Sequence, residues 1–188
     1  MSQIKIREVK RQNFKMALPN IMTFMNLAFG IMAILIAAHG KNGLALASVF
    51  ILFAAIFDRF DGKVARKLNA ESELGEQLDS LADLVSFGVA PAFVAWGINF
   101  STPGTEIVGY LSVVIFVCAG AYRLAKFNVS TCKKVYVGLP ITCAGGLLSF
   151  YNIHLSLNHN VGASAIKTSI IMVVLAYCMV CNFKIKKV

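Results

Sequence analysis

Residues Phe57–Pro91 read FDRFDGKVARKLNAESELGEQLDSLADLVSFGVAP, a stretch that holds seven of the nine acidic residues of a 188-residue chain yet lies between long apolar runs. Asp58 and Asp61 are three residues apart and Asp79 and Asp83 four apart, so each pair falls on one face of a helix. The intervening segment, roughly Leu68 to Leu74, is short and polar, which predicts an antiparallel helical hairpin with its turn in water. Counted inward from that turn, Asp58 precedes Arg66 by eight residues and Asp83 follows Gly75 by eight. At about 1.5 Å per residue both lie ~12 Å deep, so the two pairs meet at one level.

Four carboxylates at one depth need a counter-charge, because unpaired charge in a membrane costs several kcal/mol each. Two hard divalent cations bring about four positive charges, and oxygen ligands on fixed helices suit Mg²⁺ or Mn²⁺. The natural expectation is a two-metal phosphoryl-transfer site with Asp58, Asp61, Asp79 and Asp83 as ligands.

Composition agrees that this hairpin sits in a membrane. With 57% hydrophobic residues, 14% charged and a mean hydropathy of +0.70, an ordinary soluble domain is excluded. The expected fold is all-α: a polytopic integral membrane protein with six transmembrane helices and an N-terminal amphipathic interfacial helix. The net charge of +9 raises nucleic acid as a partner, but the basic residues follow the positive-inside rule, so membrane lipid is expected and nucleic acid is not. Cys118, Cys132, Cys143, Cys178 and Cys181 are scattered and odd in number, which gives no disulfide framework. Cys178-x-x-Cys181 lacks a second ligand pair and reads as packing.

Two parts divide the chain. Residues 1–17 form a basic amphipathic juxtamembrane segment, with Lys5, Arg7, Lys10, Arg11 and Lys15 among apolar residues. The apolar run that follows is too long for the h-region of a signal peptide. Residues 18–188 form the six-helix membrane domain, with spans at roughly 20–38, 44–67, 75–100, 107–128, 140–157 and 163–183. Pro19 suits a helix start. Asn20, Thr23 and Asn26 form a stripe facing the bundle interior, either as part of the site or for capping and interhelical hydrogen bonding. Gly88 and Pro91 permit a bend or close packing.

Six spans put both termini on one side, together with sixteen of the eighteen basic residues; only Lys41 and Lys167 lie opposite. That side is expected to be the cytoplasm of a cell-membrane protein, and the carboxylate site opens toward it. Arg59 and Lys63 read as snorkelling anchors. His39, His154 and His159 fall toward the outer side as surface or interfacial residues, and Trp96 and Tyr110 as outer-interface aromatics.

Written as a motif, the central stretch is Asp58-x-x-Asp61-Gly62-x-x-Ala65-Arg66, eight residues, then Gly75-x-x-x-Asp79-x-x-x-Asp83. This resembles the signature of the CDP-alcohol phosphatidyltransferases, integral membrane enzymes that make phospholipids from CDP-diacylglycerol, at all eight fixed positions. Pro19-Asn20-x-x-Thr23-x-x-Asn26, Leu84–Pro91 (LVSFGVAP), Arg123–Asn128 and Gly138-Leu139-Pro140 resemble elements of the family's phosphatidylserine synthase branch, so nearly the whole chain is covered. Lys126 stands where that branch usually has Arg, exchanging a planar fork for a point charge.

The resemblance implies that Asp58, Asp61 and Asp79 hold the metals, while Asp83 completes the site and acts as the base on the incoming alcohol. It implies homodimers of six-helix protomers with a chamber facing the cytoplasm. CDP-diacylglycerol would lie against Asp61, Gly62, Ala65, Arg66, Gly75, Asn20 and Thr23: Gly62, Ala65 and Gly75 leave room for a nucleotide, and Arg66 clamps a diphosphate oxygen. Arg123, Lys126 and Asn128 are candidates for the polar groups of L-serine. A purely structural account makes the small residues helix-packing positions and Arg66, Arg123 and Lys126 headgroup anchors.

Three other readings stand beside this one. The same family with glycerol 3-phosphate or inositol phosphate as acceptor differs only in the alcohol. A divalent-cation carrier would need a path open to both sides, whereas the outer halves of the second and third spans are apolar. An intramembrane prenyltransferase would need more spans and lacks the Gly-x-x-Ala-Arg interval.

Overall fold

The computed structural model describes residues 2–68, 72–100, 104–129, 135–158, 165–181 and 184–186; the side chains of 2–18, 61, 64–66, 68, 135–137 and 184–186 lie outside that description. Cys132, Lys133, Lys134 and His159 also lie outside the described residues. Among the described residues six helices follow one another: α1 Ser2–Ala38, α2 Leu44–Leu68, α3 Glu73–Asn99, α4 Glu106–Val129, α5 Ile141–Leu157 and α6 Ala165–Val180. A 3₁₀ turn at Lys41–Gly43 links α1 to α2. Among the described residues, the one addition to an all-α fold is a short antiparallel ladder of β1 Val135–Val137 with β2 Lys184–Lys186, Val135 opposite Lys186, which ties the segment before α5 to the chain beyond α6.

Pro19–Ala38, Lys41–Phe60, Glu73–Asn99 and Glu106–Val129 are long and apolar enough to cross a membrane. The chain is therefore an integral membrane protein of the polytopic helical kind. α5 and α6, at 17 and 16 residues, are shorter than the ~20 residues that a hydrocarbon core of about 30 Å asks of a spanning helix. One expectation is corrected here: Pro19 does not start a helix but lies inside α1, which runs unbroken from Ser2. Proline lacks the N–H that would reach the carbonyl four residues earlier, a loss that helices in lipid tolerate; the Thr23 hydroxyl makes the ordinary back-bond to the Pro19 carbonyl at 3.2 Å.

α1 turns its small residues toward the bundle and its large ones outward. On α1 the buried positions are Pro19, Thr23, Asn26, Gly30, Ala33 and Ala37, at alternating intervals of four and three, while Ile21, Phe24, Ile31 and Leu35 are exposed. In lipid no hydrophobic effect drives helices together, so close backbone approach through small residues does. At Gly30 an added Cβ would lie 2.8 Å from Ser86 Cα, and at Gly145 on α5 it would lie 2.8 Å from Phe87 Cα. α1 and α5 thus press on α3 through adjacent residues.

α3 is the central helix. Its span is 61% buried against 28% for each of the other three long ones, and it touches every other helix. It is α-helical over Glu73–Asp83, π-helical over Leu84–Val89 and α-helical again over Ala90–Asn99. Ser72 caps its start, the Gly75 amide donating to Ser72 Oγ at 3.1 Å. Asn152 of α5 donates to the Pro91 carbonyl at 3.0 Å and so anchors the second half of α3.

Candidate active site

The inward stripe of α2 runs Leu44, Ala47, Ser48, Ile51 and Ala54, and the next position on that face is Asp58. On α3, Asp79 and Asp83 are one turn apart and immediately precede the π-helical turn. The two helices bring Asp58, Asp79 and Asp83 together, with one carboxylate oxygen of each lying within 4.8 Å of the others. Asp83 is the deepest of them, 8% exposed. Asp61 lies three residues beyond Asp58 on α2, but its side chain lies outside the described part of the structure, as do those of Ala65 and Arg66.

Two neighbours of the cluster were not foreseen as site residues. Asn26 Nδ2 of α1 donates to Asp83 Oδ1 at 3.3 Å. Thr142, in the first turn of α5, sets its hydroxyl beside Asp58, which in turn lies beside Asp83. Asn26 was legible as part of an inward stripe, whereas a lone threonine at a helix start carries no signal in the sequence. The cluster is therefore walled by α1, α2, α3 and α5.

The remaining predicted residues fall in two places. Near the start of α3, a Cβ at Gly75 would lie 3.4 Å from Asn20 Oδ1, and the side of α2 at Gly62 is open, with nothing within 4 Å of a Cβ there. Thr23, one turn inward from Asn20, is 6% exposed. On α4, Asn128 Nδ2 donates to Ser80 Oγ at 3.0 Å and to Gln77 Oε1 at 3.3 Å. That pair of bonds joins the end of α4 to the turn of α3 carrying Asp79. Arg123 is half-buried on the same helix, and the exposed Lys126 sets its ammonium 5.9 Å from the Tyr122 ring centroid. Of the outer-side aromatics, Trp96 stacks on Tyr110 at 5.9 Å and Phe93 at 6.0 Å, and His39 donates to the Leu35 carbonyl at 2.8 Å.

The donor set fits a cation. Three carboxylates this close repel one another strongly, and oxygen-only ligands on helices suit a hard divalent ion. Asn26 and Thr142 are neutral, so they orient the carboxylates without cancelling their charge. The acidic cluster is thus a candidate metal centre set between helices of a membrane bundle.

Comparison with known proteins places this geometry. Residues 16–186 match the sequence model of the CDP-alcohol phosphatidyltransferases. Over 129 residues the chain is 38% identical to the CDP-diacylglycerol–serine O-phosphatidyltransferase of Bacillus subtilis (strain 168), covering 68% of this chain and 71% of that protein. The protein of the same name from Saccharomyces cerevisiae is 48% identical over 105 residues, 50% of this chain and 37% of the yeast protein. The archaetidylserine synthase of Methanothermobacter thermautotrophicus is 35% identical over 138 residues, 72% and 57% of the two chains. Apart from the Bacillus protein, the matches cover 37–57% of the relatives' own length.

Proposed function

The chain belongs to the CDP-alcohol phosphatidyltransferase family, and from that premise we propose that it transfers the phosphatidyl group of CDP-diacylglycerol to L-serine, releasing CMP. The observation that carries this reading is the convergence of Asp58, Asp79 and Asp83 within 4.8 Å. Serine as the acceptor draws support from relatives whose names share serine while the lipid differs, diacylglycerol in two and archaetidyl in the third.

Asp58, Asp61, Asp79 and Asp83 would hold Mg²⁺ or Mn²⁺, two per protomer. Bound there, the ions supply Lewis-acid polarisation of the diphosphate and neutralise charge on the departing CMP. Asp83 accepts the proton of the serine hydroxyl as that oxygen bonds to the phosphorus bearing the lipid and the bond to the CMP oxygen breaks. Gly62, Ala65 and Gly75 leave clearance for the nucleotide beside Asn20 and Thr23, and Arg66 holds a diphosphate oxygen. Arg123, Lys126 and Asn128 serve the serine carboxylate and polar groups. Residues 1–17, the basic start of α1, meet anionic headgroups ahead of a six-span domain in the cell membrane, the termini and the site face the cytoplasm, and the assembly is a homodimer.

The test incubates purified protein in detergent or nanodiscs with CDP-diacylglycerol and a panel of alcohols, with and without Mg²⁺ or Mn²⁺. L-Serine should stimulate CMP release; chelation should abolish it, and Asp83→Asn should lower it by about 10²- to 10⁴-fold. Turnover with glycerol 3-phosphate or inositol phosphate and none with serine would move the chain to another branch of the family. Transport of the divalent ion across a sealed membrane without CMP release would replace the enzyme with a carrier.

A further inference from the structure

One contact at the site runs through residues that the proposed chemistry leaves without a role. Asn26 of α1 is gripped at two points by α3: its side-chain amide donates to Asp83 Oδ1 at 3.3 Å, and its backbone carbonyl accepts the Ser86 hydroxyl at 3.0 Å. A serine inside a helix ordinarily turns its hydroxyl back to the carbonyl four residues earlier. Ser48 and Ser112 do so here. Ser86, in the π-helical turn, crosses to the neighbouring helix instead.

Gly30 makes that crossing feasible. It is one turn along α1 from Asn26, and a Cβ there would lie 2.8 Å from the Cα and 3.0 Å from the Cβ of Ser86. Asn26 Oδ1 is buried with no hydrogen-bond partner among the described residues. A buried orphan acceptor is a cost that a leucine would not incur, so asparagine is kept for its donor end. Asn26 and Ser86 are both 0% exposed, so neither reaches a substrate and any influence on the chemistry passes through Asp83.

The structure assigns Asn26 and Ser86 as positioning residues for Asp83, with Gly30 supplying the close approach they need. Asp83 and Ser86 are three residues apart on α3 and hold one residue of α1 by side chain and main chain at once, so a slide of α1 along α3 breaks both bonds together. The donor is neutral, which leaves the carboxylate's charge available to a cation; a Lys or Arg there would cancel it. This inference rests on Asp83 serving the cation site proposed above.

Mn²⁺ alone is the probe, with no substrate present. Its binding to purified protein is followed by the electron paramagnetic resonance of the free ion and by thermal stabilisation, for the wild type and for Asp83→Asn, Asn26→Leu, Ser86→Ala, Asn26→Leu/Ser86→Ala and Gly30→Ala. Partners that orient a ligating side chain are worth about 10- to 100-fold in metal affinity. That loss is expected for Asn26→Leu, and a loss of roughly severalfold for Ser86→Ala and Gly30→Ala. The double variant should bind no more weakly than Asn26→Leu alone, because Ser86 acts through the side chain already removed.

If Ser86→Ala lowers thermal stability but leaves the Mn²⁺ midpoint unmoved, or if its effect adds in full to that of Asn26→Leu, the assignment is overturned. Should Asn26→Leu fail to fold, Ser86→Ala and Gly30→Ala decide the matter: Mn²⁺ midpoints equal to the wild type in both overturn it. Mn²⁺ binding that survives Asp83→Asn unchanged, or is absent from the wild type, removes the cation reading of Asp83 and this inference with it. Loss in Asp83→Asn alone removes only the positioning role.

Discussion

Gly145→Ala should destabilise the bundle, and Gly146→Ala, the same change one residue later on the same helix, should not. Replacing glycine by alanine inside a helix gains about 0.5–1 kcal/mol from the backbone alone. At Gly146 the new methyl meets nothing within 4 Å, so that gain should be realised. At Gly145 the methyl would lie 2.5 Å from the Phe87 carbonyl oxygen and 2.8 Å from its Cα. Both are backbone atoms of the central helix, and neither can rotate out of the way. Overpacking of this kind costs about 1–3 kcal/mol, which exceeds the backbone gain over most of its range. On a scale of about 2–4 °C per kcal/mol for a chain of this size, roughly 2–12 °C should separate the two variants, with Gly146→Ala at or above the wild type. Thermal unfolding in detergent, followed by the fluorescence of the single tryptophan, Trp96, measures this directly. Trp96 stacks on Tyr110 between α3 and α4, so its emission reports the packing of the same helix. Equal melting points for the two variants would show that α5 does not bear on α3 at Phe87, and the account of how the central helix is fixed would fall.

Thr142→Val keeps volume but removes the hydroxyl beside Asp58; Mn²⁺ affinity should fall about tenfold or more with little change in melting temperature, and unaltered affinity would reduce Thr142 to packing. Asn128→Ala severs the bonds to Ser80 and Gln77 and should cost about 1–2 kcal/mol of stability. A Ser80→Ala/Asn128→Ala double-mutant cycle should show non-additivity, and strict additivity would count against the network. In a cysteine-free background, Asn42→Cys in the exposed turn between α1 and α2 should react with a membrane-impermeant maleimide from outside intact cells, whereas Lys63→Cys should not. The opposite pattern would invert the proposed orientation.

Much of this architecture is written in residue spacing. Small and polar side chains at intervals of three and four mark the inward faces of α1 and α2, and that period puts Asp58 in line with Ala54 and Asp79 in line with Asp83. What the sequence hides is tertiary or isomorphous in composition. The stripe of Asn20, Thr23 and Asn26 showed a face but not its partner, since Asn26 and Asp83 are 57 residues apart and nothing local pairs them. A π-helical turn uses the same residue types as the α-helix around it, so Leu84–Val89 leaves no trace in the pattern. Pro19 misled for a physical reason: a membrane helix can carry a proline in its interior, so the residue need not mark a boundary. Thr142 reaches Asp58 only because α5 crosses α2 at that point.

The central place of α3 bears on how the protein is made. A helix that touches every other one is not seated until its neighbours have left the ribosome, and the last of them follow it in the chain. Asp79 and Asp83 take up their spacing as soon as α3 is helical, and Asp58 joins them when α2 and α3 pair, but the wall that α5 supplies can be added only afterwards. The enclosure of the acidic cluster by four helices is thus a late product of folding, although the cluster itself belongs to an early hairpin.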